Sequence, residues 1–367
     1  MKKLLLFSFL LNFFLFYTCL SINNSYIFNN YNKSISNIVS NNEKNYKKNV
    51  ILGIIQNYSL AQILPFFKSF IKTNFHNCDI VIFVRNVSMV IPNYLKSIGV
   101  IVYEIQKKFK SISVINLRWK LYINFLKRNR HKYKLVMHCD VRDTLFQKDI
   151  FQYYENYHPF LCIALEDGNL NQAVNKRWIV NYIGPEIHKK IQNERIICIG
   201  SLLGTIDIFI EFSNYFWYKL MKNKTSIEQG IANYIFYYEK KFKNYVIKSD
   251  NYGPIITIGL SKPESVIVDS EDNILNFKGE IAAIIHQYDR KKNITMKILN
   301  KYCPELIYYQ KEINEINEYN QNVKYNQIKY INKINKIRIH FFIFFYFFTI
   351  IIAIKSKRSK RKIIQSY

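Results

Sequence analysis

Short apolar runs alternate with amphipathic helical patterns through the first half of this chain, and that alternation constrains its fold most. Runs rich in Ile, Val and Leu predict strands, and stretches with helical periodicity predict helices between them. The predicted strands are residues 50–55, 79–84, 99–103, 133–138 and 160–165, and the predicted helices include 60–71 and 115–126. Strands joined through helices form βαβ units, so we expect an α/β fold with a mostly parallel sheet flanked by helices.

The pattern becomes mixed beyond residue 165. Helices are predicted at 186–191, 206–222 and 227–240, and strand-like segments at 196–198, 245–248, 265–268 and 281–285. In open α/β sheets, ligands bind beyond the carboxyl ends of the strands. We therefore expect functional residues where strands end, as Asp140 does after the run 133–138.

Both ends of the chain are apolar. Met1-Lys2-Lys3 precedes an apolar run, which predicts a signal peptide or a signal anchor over residues 1–21. Residues 337–354 are almost wholly apolar and are followed by a basic segment, 355–367. This order predicts a transmembrane helix with a cytosolic tail, and the rival interpretation of the run is a buried core helix.

The predicted signal segment and transmembrane helix together predict that the residues between them lie in the secretory pathway. We expect a lumenal catalytic domain held in a Golgi or endoplasmic reticulum membrane, so the membrane itself is a predicted partner. Asn-x-Ser/Thr sequons in this middle part are compatible with a lumenal location. The predicted order is a low-complexity linker over 22–48, one domain over 49–304 and a stalk over 305–336.

The net charge of +27 raises the question of nucleic-acid binding. Beyond Gln321 the chain carries eleven Lys or Arg and no Asp or Glu, and the other basic residues are scattered lysines. No Arg-rich helix occurs and none of the six Cys forms a CxxC pair, so we expect no nucleic-acid partner and no zinc site. Cys139, Cys162 and Cys198 lie in apolar runs, which favours buried free thiols.

An acidic motif, Asp140-Val-Arg-Asp143, follows the apolar run 133–138. Carboxylates at the end of a buried strand favour a hard divalent cation, Mn²⁺ or Mg²⁺, because such ions prefer oxygen ligands. A loop in which Asp143 caps the next turn and Arg142 pairs nearby explains the same residues. The i, i+3 spacing brings the two carboxylates together only if the strand has already turned between them.

Five segments in order carry a resemblance to a known family. They are Asp140-Val-Arg-Asp-Thr-Leu-Phe-Gln147 with Asp149-Ile-Phe151, Asn175-Lys-Arg-Trp-Ile179, Cys198-Ile-Gly200 with Gly204, Glu228-Gln-Gly-Ile-Ala-Asn-Tyr234 and Ile285-His-Gln-Tyr-Asp-Arg290. Together they resemble a eukaryotic family of GT-A-type glycosyltransferases. That family carries Asp-x-Arg-Asp-Val-x-Phe-Gln, Asn-x-x-Trp-Ile, Cys-Ser-Gly-x-x-x-Gly, Asp-Gln-Gly-x-x-Asn-Tyr and Val-His-Gln-Tyr-Asp-Arg.

The resemblance implies a GT-A-like, Rossmann-like fold and a metal-dependent glycosyltransferase. Its donor is a nucleotide sugar, and its acceptor is a glycan, a protein or a lipid. The implied metal ligands are Asp140, Asp143 and His286, with Mn²⁺ or Mg²⁺ as the ion. Glu228 is implied as the catalytic base or an acceptor contact, and a favourable charge at a helix start explains it equally.

Further residues are implied as contacts of the donor. Arg118 and Arg142 are expected beside its phosphates, together with Asp140, and a plain surface position explains Arg118 equally. Gly200 and Gly204 are expected to let the backbone approach the sugar or phosphate closely, and plain turn chemistry is the alternative for both glycines.

Two departures from the family bear on activity. Arg142 stands where the common Asp-x-Asp spacing has its second acid, and Glu228 replaces an Asp. The alternative function is therefore a catalytically inactive lumenal membrane protein that keeps the fold and acts as a binding or scaffold module. A haloacid-dehalogenase-type phosphatase is disfavoured, because Arg142 also occupies the position of its second acid.

Overall fold

A computed structural model describes residues 47–109, 111–222 and 227–307. These residues form an α/β domain in which helices flank one large mixed sheet. The predicted leader, transmembrane helix and basic tail, and nearly all of the predicted linker and stalk, lie outside the described residues. No helix within the described part combines the length and apolar character needed to cross a bilayer.

The first half of the domain contains four parallel strands in the order β3-β2-β1-β4. These strands are β1 (Lys48–Gln56), β2 (Cys78–Arg85), β3 (Ile101–Glu104) and β4 (Tyr133–Cys139), and the helices between them are α1 (Leu60–Thr73), α2 (Val90–Ser97) and α3 (Val114–Arg128). The run Val50–Leu52 in β1 is fully buried, as expected for a central strand covered on both faces. The predicted parallel βαβ arrangement of this half is confirmed.

The second half of the domain adds shorter strands and a second set of helices. The strands are β5 (Thr144–Phe146), β6 (Leu161–Asn169), β7 (Arg195–Thr205), β8 (Val246–Ser249), β9 (Ile255–Thr257), β10 (Ile267–Val268), β11 (Ile274–Leu275) and β12 (Ile284–His286). The helices are α4 (Phe151–Tyr154), α5 (Ala173–Tyr182), α6 (Pro185–Ile191), α7 (Ile206–Lys222), α8 (Glu228–Asn233, continued by a π-helix over Tyr234–Glu239) and α9 (Lys292–Tyr302).

Strand β7 joins the two halves of the sheet. It lies between β4 and β6 and is antiparallel to both, so β4 and β6 run in the same direction. Strand β6 is parallel to β9, and β9 is parallel to β12. The carboxyl ends of β4, β6, β9 and β12 therefore meet at one edge of the sheet, and this edge is where ligands bind in open α/β sheets.

Aromatic side chains fill the core beneath this edge. On one face of the sheet, Trp119 of α3 contacts Phe212 and Phe216 of α7, with ring centroids 5.8 Å and 4.9 Å away. On the other face, Phe66 of α1 contacts Phe146 of β5 at 4.8 Å. Full burial of each such side chain contributes about 1.5–3 kcal/mol. Because Arg118 precedes Trp119 in α3, the same packing fixes the position of that arginine.

Candidate metal centre

The acidic motif occupies a tight turn between β4 and β5. The Asp140 N–H donates to the carbonyl of Gly200 in β7 at 2.9 Å, which ends the pairing of β4 with β7. The chain turns over residues 141–143, and the Gln287 N–H then donates to the carbonyl of Asp143 at 2.8 Å. The strand has thus turned before Asp143, which is the condition under which the i, i+3 carboxylates converge.

Asp140, Asp143 and His286 meet at this turn. Each offers one ligand atom, and these atoms lie within 4.8 Å of one another. His286 Nε2 is 3.5 Å from Asp143 Oδ1 and 3.8 Å from Asp140 Oδ2. His286 and Asp143 are buried, whereas the Asp140 side chain is 38% exposed. The cluster therefore opens to solvent on the Asp140 side.

The donor set and its cradle fit a hard divalent cation. Two carboxylates and one imidazole are ligands that Mn²⁺ and Mg²⁺ accept. His286 Nε2 is buried and has no hydrogen-bond partner. A Cβ at Gly200 would lie 2.4 Å from His286 Cε1 and 2.6 Å from Asp140 Oδ2, so any side chain there would press on two of the three ligands. Gly200 therefore lies against the cluster, and its contact with the donor sugar or phosphate stays a prediction.

The local charges favour a cation at the same point. Burial by itself raises the pKa of Asp140, but Arg118, His286 and His138 hold this pKa well below the usual value. Burial lowers the pKa of His286, but Cys198 and the two carboxylates raise it well above the usual value. The carboxylates of Asp140 and Asp143, which lie beside the imidazole, would equally stabilise a metal cation at this point.

Arg118 is a buried cation behind the cluster. Its Nη1 lies 2.5 Å from Asp140 Oδ1, and its Nη2 forms an ion pair with Glu228. The indole N–H of Trp119 donates to Glu228 Oε2 at 2.8 Å. Both oxygens of Glu228 therefore face donors from α3, and this pairing of α3 with α8 was not predicted from the sequence.

Arg142 lies on the rim of the site. Its side chain is 40% exposed, and its Nε is 3.2 Å from Asp289 Oδ2. Its Nη2 is 3.4 Å from Asp143 Oδ2, and its guanidinium lies 6.0 Å from the ring centroid of Tyr58. These contacts leave part of the guanidinium open towards solvent beside the cluster.

Gly204 is the predicted site residue that the structure does not bring to the others. It lies near the end of β7, opposite Val136 and Leu161. A Cβ there would lie 2.8 Å from the Phe160 carbonyl oxygen. Close packing of β7 against β6 therefore accounts for this glycine.

A further layer of side chains supports His286, and its contacts were not predicted from the sequence. His286 Nδ1 is 3.3 Å from Cys198 Sγ, and burial raises the pKa of this thiol to about 11. Gln287 Nε2 lies 3.7 Å from the same sulfur and 3.4 Å from Glu166 Oε1. Partners of this kind fix the ring orientation of a metal-binding histidine.

No protein-family model matches the chain, and no curated protein matches it. Solved structures of glycosyltransferases do resemble it. The glycosyltransferase GlyE of Streptococcus pneumoniae TIGR4 has a TM-score of 0.40 at 15% identity, over 66% of this chain and 55% of GlyE. The galactosyltransferase LgtC, in complex with donor and acceptor sugar analogues, has a TM-score of 0.42 at 11% identity, over 68% and 95%. The bifunctional glycosyltransferase WbbM has a TM-score of 0.45 at 13% identity, over 74% and 52%. The chain thus spans little more than half the length of GlyE and of WbbM.

Proposed function

We propose that this chain is a metal-dependent glycosyltransferase that takes a sugar from a nucleotide-sugar donor. The observation that carries the proposal is the convergence of Asp140, Asp143 and His286 at one open point on the carboxyl edge of the sheet. The ordered resemblance of five segments to GT-A-type glycosyltransferases supports it, because these three residues match the metal-binding positions of that family.

Asp140, Asp143 and His286 are the residues that would hold Mn²⁺ or Mg²⁺. The bound ion would neutralise the negative charge that grows on the diphosphate leaving group. Asp140 has a divided role, because its Oδ1 accepts from Arg118 while its Oδ2 faces His286. Arg118 thereby orients the Asp140 carboxylate.

Arg142 is the residue that we assign to the donor phosphates. Its guanidinium is partly exposed beside the cluster, and burial is outweighed by Asp143 and Asp289, which raise its pKa. It therefore keeps its charge at every working pH. A guanidinium presents a planar fork of donors that suits phosphate oxygens.

Glu228 has a positioning role in this proposal rather than the role of a base. Its carboxylate is buried and faces Arg118 and Trp119, so its oxygens are engaged within the protein. It holds the guanidinium of Arg118 against Asp140. A base that takes a proton from an acceptor needs an oxygen that faces the acceptor.

We also propose a location in the secretory-pathway membrane, with the domain in the lumen. The apolar ends of the sequence support this location. Three sequon residues in the described part, Asn57, Asn86 and Asn293, are exposed and open to modification. Loss of apparent mass on endoglycosidase treatment of the protein made in its own cells tests the proposal, and an unchanged mass contradicts it.

Release of nucleoside diphosphate from UDP- and GDP-sugars tests the enzymatic proposal. The purified full-length chain is assayed with Mn²⁺, with Mg²⁺ and with excess EDTA, beside Asp140→Ala and Asp143→Ala. We expect activity only with a metal ion, and a loss of at least about 100-fold in both variants, since loss of a group that stabilises leaving-group charge costs about 2.7–4 kcal/mol.

The matched control is Asp207→Ala. Asp207 is 59% exposed, it pairs with Arg130 outside the cluster, and its loss should leave the rate unchanged. Equal release by wild type, Asp140→Ala and Asp143→Ala would contradict catalysis by this centre. Donor binding without any release in the wild type would instead favour the inactive binding or scaffold module.

A further inference from the structure

The edge of the sheet opposite the metal centre carries a group of exposed basic residues. Strands β1 and β4 begin side by side at this amino edge, where the Lys48 N–H donates to the carbonyl of Lys132 at 2.8 Å. Helix α3 ends at the same edge, because the loop 129–132 joins it directly to β4. We call this surface the basic edge, and its members are all exposed: Lys47, Lys48, Lys127, Arg128, Arg130 and Lys132.

The charge of the basic edge is only partly neutralised by the domain itself. Lys48 pairs with Asp79 at 3.0 Å, and Arg130 pairs with Asp207 at 2.7 Å. Within the part of the chain that the structure describes, four cations of the basic edge form no ion pair: Lys47, Lys127, Arg128 and Lys132. A surface that carries four uncompensated positive charges attracts a surface of the opposite sign.

The chain enters and leaves the described domain on the side of the basic edge. Lys47 directly precedes β1. Helix α1 begins beyond the carboxyl end of β1 and ends before the start of β2, so its second half lies towards the amino edge. The end of α9 packs against this half of α1. There Glu305 forms an ion pair with Lys68, and Lys72 Nζ lies 5.2 Å from the ring centroid of Tyr302.

The metal centre lies at the other end of the same sheet. Strand β4 runs for seven residues, from Tyr133 at the basic edge to Cys139, and Asp140 follows. At a rise of about 3.3 Å per residue, Asp140 lies about 23 Å from the basic edge. A partner on the basic edge would therefore leave the metal centre open to its substrates.

We propose that the basic edge docks on a membrane surface that carries anionic lipid headgroups, an inference that rests on the proposed location in a secretory-pathway membrane. The predicted membrane segments, 1–21 and 337–354, precede Lys47 and follow the end of α9, so both join the domain on the side of the basic edge. Lys and Arg near such a surface are attracted to its negative charge. A nucleic acid carries similar phosphate charge, but the chain itself would join only a membrane to this edge.

Lysine labelling of the full-length protein in vesicles tests the proposal. The vesicles contain phosphatidylcholine alone or phosphatidylcholine with phosphatidylserine, and peptide mapping follows the labelling by a membrane-impermeant amine reagent. We expect Lys47, Lys127 and Lys132 to react more slowly with phosphatidylserine present, by about fivefold or more. Lys262, which is exposed beyond the carboxyl end of β9, should react equally in both vesicles. High salt should remove the difference, because it screens charges at a surface.

Two triple variants separate the basic edge from positive charge in general. The test variant removes three unpaired cations of the basic edge through Lys127→Gln, Arg128→Gln and Lys132→Gln. The matched control removes three exposed lysines outside it through Lys262→Gln, Lys278→Gln and Lys292→Gln. Phosphatidylserine should no longer protect Lys47 in the test variant, and should protect it fully in the control.

Four results would overturn the proposal: equal labelling of the basic edge in both vesicles, protection that survives high salt, equal protection of Lys262, or protection by added RNA but not by phosphatidylserine. Alkaline extraction of the wild type from phosphatidylcholine vesicles tests the proposed location separately. Extraction from these vesicles, with protection by phosphatidylserine retained, contradicts the membrane segments and supports the docking surface. Retention in the vesicles without protection contradicts the docking surface alone.

Discussion

Substitution of Gly200 by Ala perturbs the metal centre at its most crowded point. The added Cβ would lie 2.4 Å from His286 Cε1, 2.6 Å from Asp140 Oδ2 and 2.7 Å from His286 Nε2. Contacts this short cannot persist, so the imidazole, the carboxylate or β7 itself must move. Gly200 does not have a positive φ, and the backbone itself therefore accepts an alanine.

The expected size of the effect follows from two opposing contributions. Alanine in a strand gains about 0.5–1 kcal/mol over glycine, whereas overpacking costs about 1–3 kcal/mol, so the free energy of unfolding should fall by about 0–2.5 kcal/mol. Displacement of Asp140 and His286, the proposed metal ligands, should have a larger effect on metal affinity. Changes that disturb ligand orientation lower metal affinity by about 10–100-fold.

Gly204→Ala is the matched control on the same strand. Its Cβ would lie 2.8 Å from the Phe160 carbonyl oxygen, so a similar loss of stability is expected without contact with the centre. Urea unfolding gives the stability of both variants, and calorimetric titration with Mn²⁺ gives their affinities. An unchanged Mn²⁺ affinity in Gly200→Ala would refute this reasoning. A loss of Mn²⁺ affinity in Gly204→Ala equal to that in Gly200→Ala would also refute it, and would support the predicted place of Gly204 in the donor site.

Three further outcomes are expected. Glu228→Gln removes one of the two anionic partners of the buried Arg118, while Asp140 remains, and should lower the free energy of unfolding by about 1.5–3 kcal/mol in urea unfolding. Glu211→Gln, at an exposed pair, should lower it by less than about 1 kcal/mol, and equal losses would contradict the buried pair. Burial raises the pKa of the Cys162 thiol from 9.0 to about 12, so this thiol ionises at lower pH in the unfolded chain. The free energy of unfolding should therefore fall as pH rises through this window. A thiol-specific reagent at pH 8 should label Cys162 and Cys198 only after unfolding, as peptide mapping would show. Excess EDTA should abolish calorimetric binding of the nucleotide sugar, and undiminished binding would remove the metal from the mechanism.

Long, strongly patterned elements could be predicted from the sequence. The runs behind β1 and β2 are rich in β-branched residues, and the predicted helices 115–126 and 206–222 correspond to α3 and α7. Elements too short to show a period were missed. Strands β5 and β9 have three residues each and depend on pairing with β12, which is distant in sequence.

Strand β7 shows a different limit. The prediction covered residues 196–198, but the strand continues to Thr205 and runs antiparallel to its neighbours. Gly200 and Gly204 weaken the strand pattern in the sequence. Tertiary contacts account for both glycines, because Gly200 faces Asp140 and His286 and Gly204 packs on Phe160. Helices α2, α5 and α9 were missed as well, since each buries only two or three residues and its apolar face is narrow.

The candidate site was predictable to the extent that motifs marked it. The position of Asp140 after a buried strand and the downstream His286 predict one shared sheet edge, and the structure places them 3.8 Å apart there. Their metal role stays a prediction. The pairing of Glu228 with Arg118 and the contact of Cys198 with His286 could not be predicted from the sequence, because they depend on how α3, α8, β7 and β12 meet in space.

Asp143→Asn is the variant that tests the central claim most directly. It keeps the volume of the side chain and removes the charge that faces His286 Nε2 at 3.5 Å. The decisive measurement is nucleoside diphosphate release from UDP- and GDP-sugars with saturating Mn²⁺, by wild type and by this variant. The account predicts release by the wild type and a loss of at least about 100-fold in Asp143→Asn. Release at the wild-type rate by Asp143→Asn would contradict it.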